Sequence, residues 1–470
     1  MPPVTTPSDP AARLVPALQR DLALLRSLGE RFAAAGAELA LVGGSVRDAL
    51  MGRSLVDLDF ATSARPDTVL AIVEPWAETV WDVGIRFGTV GAMKRGHRLE
   101  ITTYRAESYQ SHSRKPEVSY GSSLSGDLVR RDFTVNAMAV TLPGLELVDE
   151  HDGIADLAAG VLRTPAAPEA SFSDDPLRMM RAELGFQIEP ATYAAIRAMA
   201  DRISIVSAER VQVELTRLLL GQHPRRGLAV LVDTGLADTV LPELPALQLE
   251  IDEHHRHKDV YEHSLTVLEQ AIALEEDGPD LTLRLAALLH DIGKPKTRRF
   301  ESGGGVSFHH HEVVGARMTK QRLKALRYGN EIIDDVSRLV ELHLRFHGYG
   351  SGAWTDSAVR RYVRDAGDLL PRLHKLTRAD STTRNKRRAQ ALQRAYDSLE
   401  QRIEQLHQQE ELAAIRPDLD GNDIMRILDL PPGPEVGEAY RFLMDLRLDR
   451  GPLGPELAEE ALRAWWAARS

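Results

Sequence analysis

Gly43-Gly44-Ser45-Val46-Arg47-Asp48, followed shortly by Val56-Asp57-Leu58-Asp59-Phe60-Ala61-Thr62, decides how this chain is read. The two glycines let the backbone turn tightly and come close to a ligand. Ser45 then opens a short helical run to Leu50, whose free N–H groups and dipole suit a phosphate, with the Ser45 hydroxyl as a further donor. In the second stretch Val56, Leu58 and Phe60 alternate with Asp57, Asp59 and Ala61. That is the period of a strand, so both carboxylates lie on one face, about 7 Å apart. Two hard oxygen ligands at this spacing suit Mg²⁺ ions that bridge to a triphosphate. A solvated aspartate pair or a Gly-Gly turn is commonplace alone; in this order and proximity they predict nucleotide transfer.

Outward from that stretch, Leu14 to Ala35 has helical periodicity with Gly36 as its C-cap, and Glu38 to Val42 reads as the strand entering the turn. Phe87 to Met93 and Arg98 to Thr103 read as a hairpin turning at Lys94-Arg95-Gly96-His97, and its second arm carries Glu100. Residues 108–125 are rich in Ser, Lys, Arg, Tyr and Gly and read as a loop. From Ala170 onward the pattern is helical almost throughout.

Composition bounds the class. A chain of 470 residues exceeds one core and splits into several domains. Charged residues make up 27% and no apolar run approaches a membrane span, which predicts a soluble protein with no membrane partner. There is no cysteine, which excludes disulfides, thiolate catalysis and Cys-ligated zinc. The polar leader Met1-Pro2-Pro3-Val4-Thr5-Thr6-Pro7 lacks a basic start and an apolar core, so a cytoplasmic location is expected. The net charge of −11 argues against nucleic acid. Between Arg372 and Arg394, however, eight basic residues face the single acid Asp380. This stretch, and Arg384, Lys386, Arg387 and Arg388 above all, is expected to contact an RNA backbone.

The opening pair of motifs resembles the nucleotidyltransferase superfamily, in particular the class II tRNA nucleotidyltransferases (CCA-adding enzymes) and bacterial poly(A) polymerases. Arg130-Arg131-Asp132-Phe133-Thr134-Val135-Asn136-Ala137-Met138-Ala139 resembles the second motif of that head. In bare chemistry Arg131 can hold a phosphate, while Asp132 and Asn136 can hydrogen-bond a ribose hydroxyl. Asp152-Gly153-Ile154-Ala155-Asp156-Leu157 resembles the hinge between head and neck. Asp174-Asp175-Pro176-Leu177-Arg178-Met179-Met180-Arg181 resembles the motif that reads the incoming base. A carboxylate beside a guanidinium accepts the amino donor and ring acceptor of cytosine and adenine and mismatches guanine and uracil, at a cost of about 1–3 kcal/mol. After Arg181 the chain is about five residues shorter than the family pattern, which in a continuous helix removes roughly 7.5 Å and turns the downstream residues by about 140°. Glu209-Arg210-Val211-Gln212-Val213-Glu214-Leu215, with Ser207 as N-cap, resembles the next neck motif.

The second half resembles the HD phosphohydrolases. His263, the pair His290-Asp291 before Ile292-Gly293-Lys294-Pro295, and Asp380 match that family's ligand order, with His311 and His343 available for a second ion. Imidazole and carboxylate together suit Mn, Fe, Ni, Co or Mg. Leu419 to Met425 and Pro431 to Gly437 resemble the helical tail of the nucleotidyltransferases.

The sequence therefore predicts a multidomain α+β protein. A leader and helix (1–35) precede a small mixed α/β nucleotidyltransferase head (36–150). Next come a helical neck with the base-selecting motif (151–245), an HD domain (246–395) and a helical, tRNA-binding tail (396–470). The resemblance implies CCA addition to tRNA from CTP and ATP, with Asp57, Asp59 and Glu100 catalytic and Mg²⁺ on the aspartates. Gly43, Gly44, Ser45, Arg47, Arg131, Asp132, Asn136, Asp175, Arg178 and Arg181 would bind nucleotide. A poly(A) polymerase, a CC-only enzyme, and an HD phosphohydrolase or RNA-binding protein with an inactive head are the alternatives.

Overall fold

In the computed structural model, seven strands form one sheet: β1 (Leu39–Val42), β2 (Asp57–Thr62), β3 (Thr79–Trp81), β4 (Thr89–Lys94), β5 (His97–Thr103), β6 (Ala139–Leu142) and β7 (Glu146–Val148), in the order β3-β4-β5-β2-β1-β6-β7. The structure describes residues 14, 16–55, 57–82, 84–105, 120–121, 123–181, 185–248, 259–302, 305–348, 354–382, 386–410 and 416–469. They belong to two compact units, 1–240 and 241–470.

β2 sits centrally, antiparallel to β1 and parallel to β5. Its alternation behaves as the sequence predicts: Leu58 and Phe60 are fully buried while Asp57 is exposed. The helices Leu22–Ala34 and Pro66–Val73 pack Leu25, Leu28, Phe32, Val69 and Val73 against Leu58, Phe60, Leu99 and Ile101. Burial of each such side chain contributes roughly 1.5–3 kcal/mol, so this core commits β2 and β5 to one orientation and leaves the carboxylates on the other face. The β4–β5 hairpin closes with Lys94 opposite His97, and both turn residues, Arg95 and Gly96, have positive φ, the twist that a two-residue hairpin favours. The first helix is shorter than its periodicity suggests, because residues 18–21 form a turn and the regular helix starts at Leu22.

Beyond the sheet the first unit is mostly helical, with Gly153–Ala159, Pro168–Asp174, Pro190–Met199, Ala208–Leu220 and Pro224–Asp233. One two-residue strand pairing, Val161–Leu162 with Gln187–Ile188, interrupts them. The motif from Asp174 to Arg181 runs through a short 3₁₀ helix, Pro176–Met180, so no long continuous helix precedes the shortened stretch. Residues 182–184, where the shortening falls, lie outside the described residues.

The second unit packs Val260–Ile272, Leu281–Leu289, His311–Ala325, Asn330–Leu342 and Leu370–Asp380 as a helical bundle. The three terminal helices, Gly421–Leu428, Pro434–Arg450 and Pro455–Ala467, bury Ile424, Ile427, Leu443 and Leu462, with Trp465 stacked on Phe442. Among the described residues no helix is long and apolar enough to cross a membrane.

Candidate active site and metal centre

Asp57 and Asp59 lie two residues apart on β2, and the parallel register sets Asp59 beside Glu100 of β5. Glu100 accepts a hydrogen bond from Arg98 at 2.8 Å. Burial pushes the Asp59 carboxyl above its ordinary value, Glu100 and Asp57 push it further, and Arg131 opposes them. Three carboxylates drawn together with too little local positive charge are a fitting donor set for a hard cation.

The Gly-Gly turn is shaped around this set. Gly43 has φ 71°, and a Cβ there would lie 2.7 Å from Nη1 of Arg131, so only glycine lets that guanidinium approach. Ser45 is buried. Its hydroxyl accepts from the Asp59 N–H at 3.0 Å and donates to the Asp57 carbonyl at 3.3 Å, tying the helix Gly44–Leu50 to β2 between the two aspartates. That hydroxyl thus holds the strand that carries the carboxylates against the turn. Arg47 donates to Asp48 and, at 2.7 Å, to Oδ1 of Asn136. Asn136 in turn donates to Asp132 at 3.0 Å.

Asp132 is the hub of the neck-facing side. One oxygen accepts from the Phe133 N–H at 2.8 Å and from Asn136, and the other from Arg181 at 3.0 Å. Burial disfavours its charge, but Arg181, Asn136 and the Phe133 amide outweigh burial and hold the carboxyl below its usual range. Arg181 also donates to Glu214 at 3.1 Å. Asp175 caps the 3₁₀ helix through Leu177 and accepts from Arg210 at 2.8 Å. Arg178 donates to the Ser171 hydroxyl at 2.8 Å and to the Arg130 carbonyl. Asp175 and Arg178 are therefore held by separate partners.

Two cavities meet here. One, of about 260 Å³, is lined by Asp59, Glu100 and Asp174 among others; the second, of about 330 Å³, by Asp132, Asp175, Arg181 and Arg210. Arg105, Arg131 and Arg178 line both. Sequence reasoning passed over Arg105, Arg210 and Glu214. The last two stand four residues apart in the quoted neck motif, a spacing that puts them on one helix face, so that signal was present.

In the second unit His263, His290 and Asp380 converge, as do Asp291, His311 and His343, each group offering three ligand atoms within 4.8 Å of one another. Every imidazole has its Nδ1 occupied: His263 by the Thr382 hydroxyl at 3.1 Å, and His290, His311 and His343 by the carbonyls of Ala287, Phe308 and Val340 at 2.8, 2.8 and 2.6 Å. This turns every Nε2 inward, the orientation that metal-binding histidines take from their outer partners. The Nε2 atom of His343 is buried without a hydrogen-bond partner, which a cation would supply, and that of His311 lies 3.2 Å from Asp291. Burial works against charge on His290, but Asp291 and Asp380 overcome it and push the imidazole up to about 10; a proton there competes with a metal. Asp291 is held well below its usual range, since His290, His311 and Lys294 outweigh burial. Lys294 lies 2.6 Å from Asp291, a contact that sequence reasoning did not assign. Gly293 is needed because a Cβ there would sit 2.1 Å from the His311 carbonyl, blocking the helix that delivers His311.

The basic stretch is less free than its composition implied. Arg372 pairs with Asp280 at 2.7 Å, Lys375 with Glu276 at 3.3 Å, and Arg378 with Asp397 and Glu400 at 2.9 Å each, while Asp380 faces the histidines. Arg387 is exposed on the helix Lys386–Glu410. Arg384 and the side chains of Lys386 and Arg388 lie outside the described residues.

A turn and two-carboxylate strand opening into a cavity walled by arginines define a nucleotidyltransferase head, and comparison with known proteins agrees. The Poly A polymerase head domain matches residues 39–163, the probable RNA and SrmB-binding site of polymerase A matches 185–247, and the HD domain matches 260–385. An A-adding tRNA nucleotidyltransferase of Deinococcus radiodurans is 35% identical over 91% of this chain and 95% of its own. A CCA-adding enzyme of Enterococcus faecalis is 32% identical over 86% of each chain. The Bacillus stearothermophilus CCA-adding enzyme, solved with CTP, superposes with TM-score 0.65 at 24% identity, covering 97% of this chain and 98% of that one, a likeness of fold. The chain belongs to the tRNA nucleotidyltransferase family of the poly(A) polymerase type, with an HD domain following the neck.

Proposed function

We propose that the chain adds nucleotides of the CCA end to the 3′ terminus of tRNA from CTP and ATP, in the cytoplasm, with no nucleic-acid template. The observation that carries this reading is that the cavity at Asp59 and Glu100 shares Arg131 and Arg178 with the cavity at Asp175. One nucleotide can thus present its phosphates to the carboxylates and its base to Asp175 and Arg178. Asp57 and Asp59, with Glu100 beside them, would hold Mg²⁺. Bound there, the ion supplies Lewis-acid activation of the RNA hydroxyl and neutralisation of the pyrophosphate. Arg47, through Asn136, fixes Asp132 toward the ribose, and Arg131, seated over Gly43, holds phosphate. Asp175 and Arg178 accept cytosine and adenine and penalise guanine and uracil. In the second unit His263, His290 and Asp380, with Asp291, His311 and His343, would hold one or two divalent ions such as Mn, Ni, Co, Fe or Mg and give that domain a phosphohydrolase capacity. The exposed stretch at Arg387 and the tail would grip tRNA.

A-only addition is the second reading, favoured by the near full-length likeness to the Deinococcus radiodurans enzyme. Incubating the pure protein with tRNA transcripts ending before C74, after C75 and after the complete CCA separates the readings. Completion of the first transcript from CTP and ATP supports full CCA addition. Extension of only the second identifies an A-adding enzyme, and long adenosine tails on the third would identify a poly(A) polymerase.

A further inference from the structure

We propose that Arg105 is a further phosphate-binding catalytic residue of the head, donating from its guanidinium to the triphosphate of the incoming nucleotide where the catalytic and base-reading cavities meet. The proposal rests on the reading of the head as the site of nucleotide transfer.

Arg105 stands just past the end of β5, the strand that carries Glu100, and lines both cavities. Its backbone is fixed from two sides. Tyr104 donates to the Thr62 carbonyl of β2 at 2.8 Å, and Gly121 donates back to the Tyr104 carbonyl at 2.7 Å. Arg105 also forms a bridge with Tyr120, whose ring carries the guanidinium of Arg65 at 4.1 Å. The side chain is aimed as firmly. Nη2 donates to the Thr89 hydroxyl at 3.1 Å, and that hydroxyl meets Thr102 at 2.9 Å, so paired threonines of β4 and β5 set the guanidinium plane.

What the guanidinium lacks, among the described residues, is an anion. Arg130, Arg131, Arg181 and Arg210 each pair with a carboxylate, and Arg178 donates to Ser171 and to a carbonyl. The described partner of the Arg105 side chain is Thr89 alone, and its Nε is buried without a hydrogen-bond partner. A phosphate oxygen entering either cavity would supply that anion, and a hydrogen bond from a guanidinium to a charged group contributes about 1.5–3 kcal/mol. During transfer the RNA 3′ oxygen bonds to the α-phosphorus, the bond from that phosphorus to the bridging oxygen breaks, pyrophosphate leaves and the hydroxyl proton passes to water. Arg105 keeps its own protons throughout and stabilises the charge on the phosphate oxygens.

Arg105→Ala is expected to lower kcat for CTP incorporation about 10²-fold, with melting temperature unchanged and with millimolar methylguanidinium restoring part of the rate. Arg105→Lys keeps the charge but loses the planar fork of donors and is expected to remain roughly tenfold below wild type, about one hydrogen bond to a charged group. Full kcat in either folded variant, or a loss in Arg105→Ala that methylguanidinium does not relieve, overturns the proposal. Absence of incorporation by the wild-type protein would instead count against the transfer reading itself.

Discussion

The head and the HD centre gather their proposed cation ligands in opposite ways. In the head, Asp57 is exposed and the three carboxylates share one sheet face, held by strand register, by the Ser45 hydroxyl and by arginines around the cavity. In the HD centre His290, Asp291 and His343 are essentially sealed from solvent, and each imidazole is locked by a hydrogen bond at Nδ1. An open carboxylate face leaves room for a triphosphate and for ions that come and go with it. A closed set of imidazoles suits a resident ion.

The sharpest way to break that contrast is to remove each set of ligands in turn. Asp57→Ala with Asp59→Ala should lower nucleotide incorporation by more than about 10³-fold, since several kcal/mol of transition-state charge stabilisation are lost. The metal retained by the purified protein, measured by elemental analysis, should not change. Retention of incorporation would show that the carboxylates on β2 are a surface feature. Next in size is Asp291→Asn. Replacing even an outer partner of a metal ligand costs 10–100-fold in affinity, so this central carboxylate should cost more than about 100-fold. Retained metal should fall while CTP incorporation stays within about twofold, the scatter of mutations without mutual contact. Loss of both together would mean that the two centres are not independent.

How much of this was legible in the sequence divides along the same line. The period-two alternation around Asp57 and Asp59 pointed to the strand and its polar face, because strand periodicity is local. The histidines and aspartates of the second half were legible only through their resemblance to the HD family's ligand order, since His263, His290 and Asp380 converge from positions far apart in sequence. What linear reasoning missed is set by distant pairings. Asp280, Glu276, Asp397 and Glu400 neutralise Arg372, Lys375 and Arg378 from far away in sequence, so a local charge count overstated the basic surface. Likewise nothing near Asp175 announces that Arg210 pairs with it, or that Arg178 turns instead to Ser171.

Those partners give a smaller test. Arg178→Ala removes the donor proposed to meet the ring nitrogen of cytosine and adenine, and should narrow the preference for CTP over UTP by roughly 10²-fold, the scale of one or two mismatched hydrogen bonds. Overall incorporation of CTP should fall less than in the aspartate variants. An unchanged CTP to UTP ratio would move base selection away from this motif and leave the second cavity without its proposed role.

The smallest effect is one of stability and it separates the sites by pH. Asp132 has its folded pKa depressed, because Arg181, Asn136 and the Phe133 amide favour the carboxylate more than burial disfavours it. A depressed carboxyl pKa contributes stability that is fully present above the unfolded value of about 3.9 and is lost as pH falls through the lower folded value. Asp132→Asn should therefore melt below wild type at neutral pH, and the gap should close as the pH is lowered beneath about 4. Thermal melts of both proteins between neutrality and about pH 3 measure this. A gap that is constant with pH would assign the difference to packing rather than to the charge that links the head, through Arg181 and Glu214, to the neck helix Ala208–Leu220.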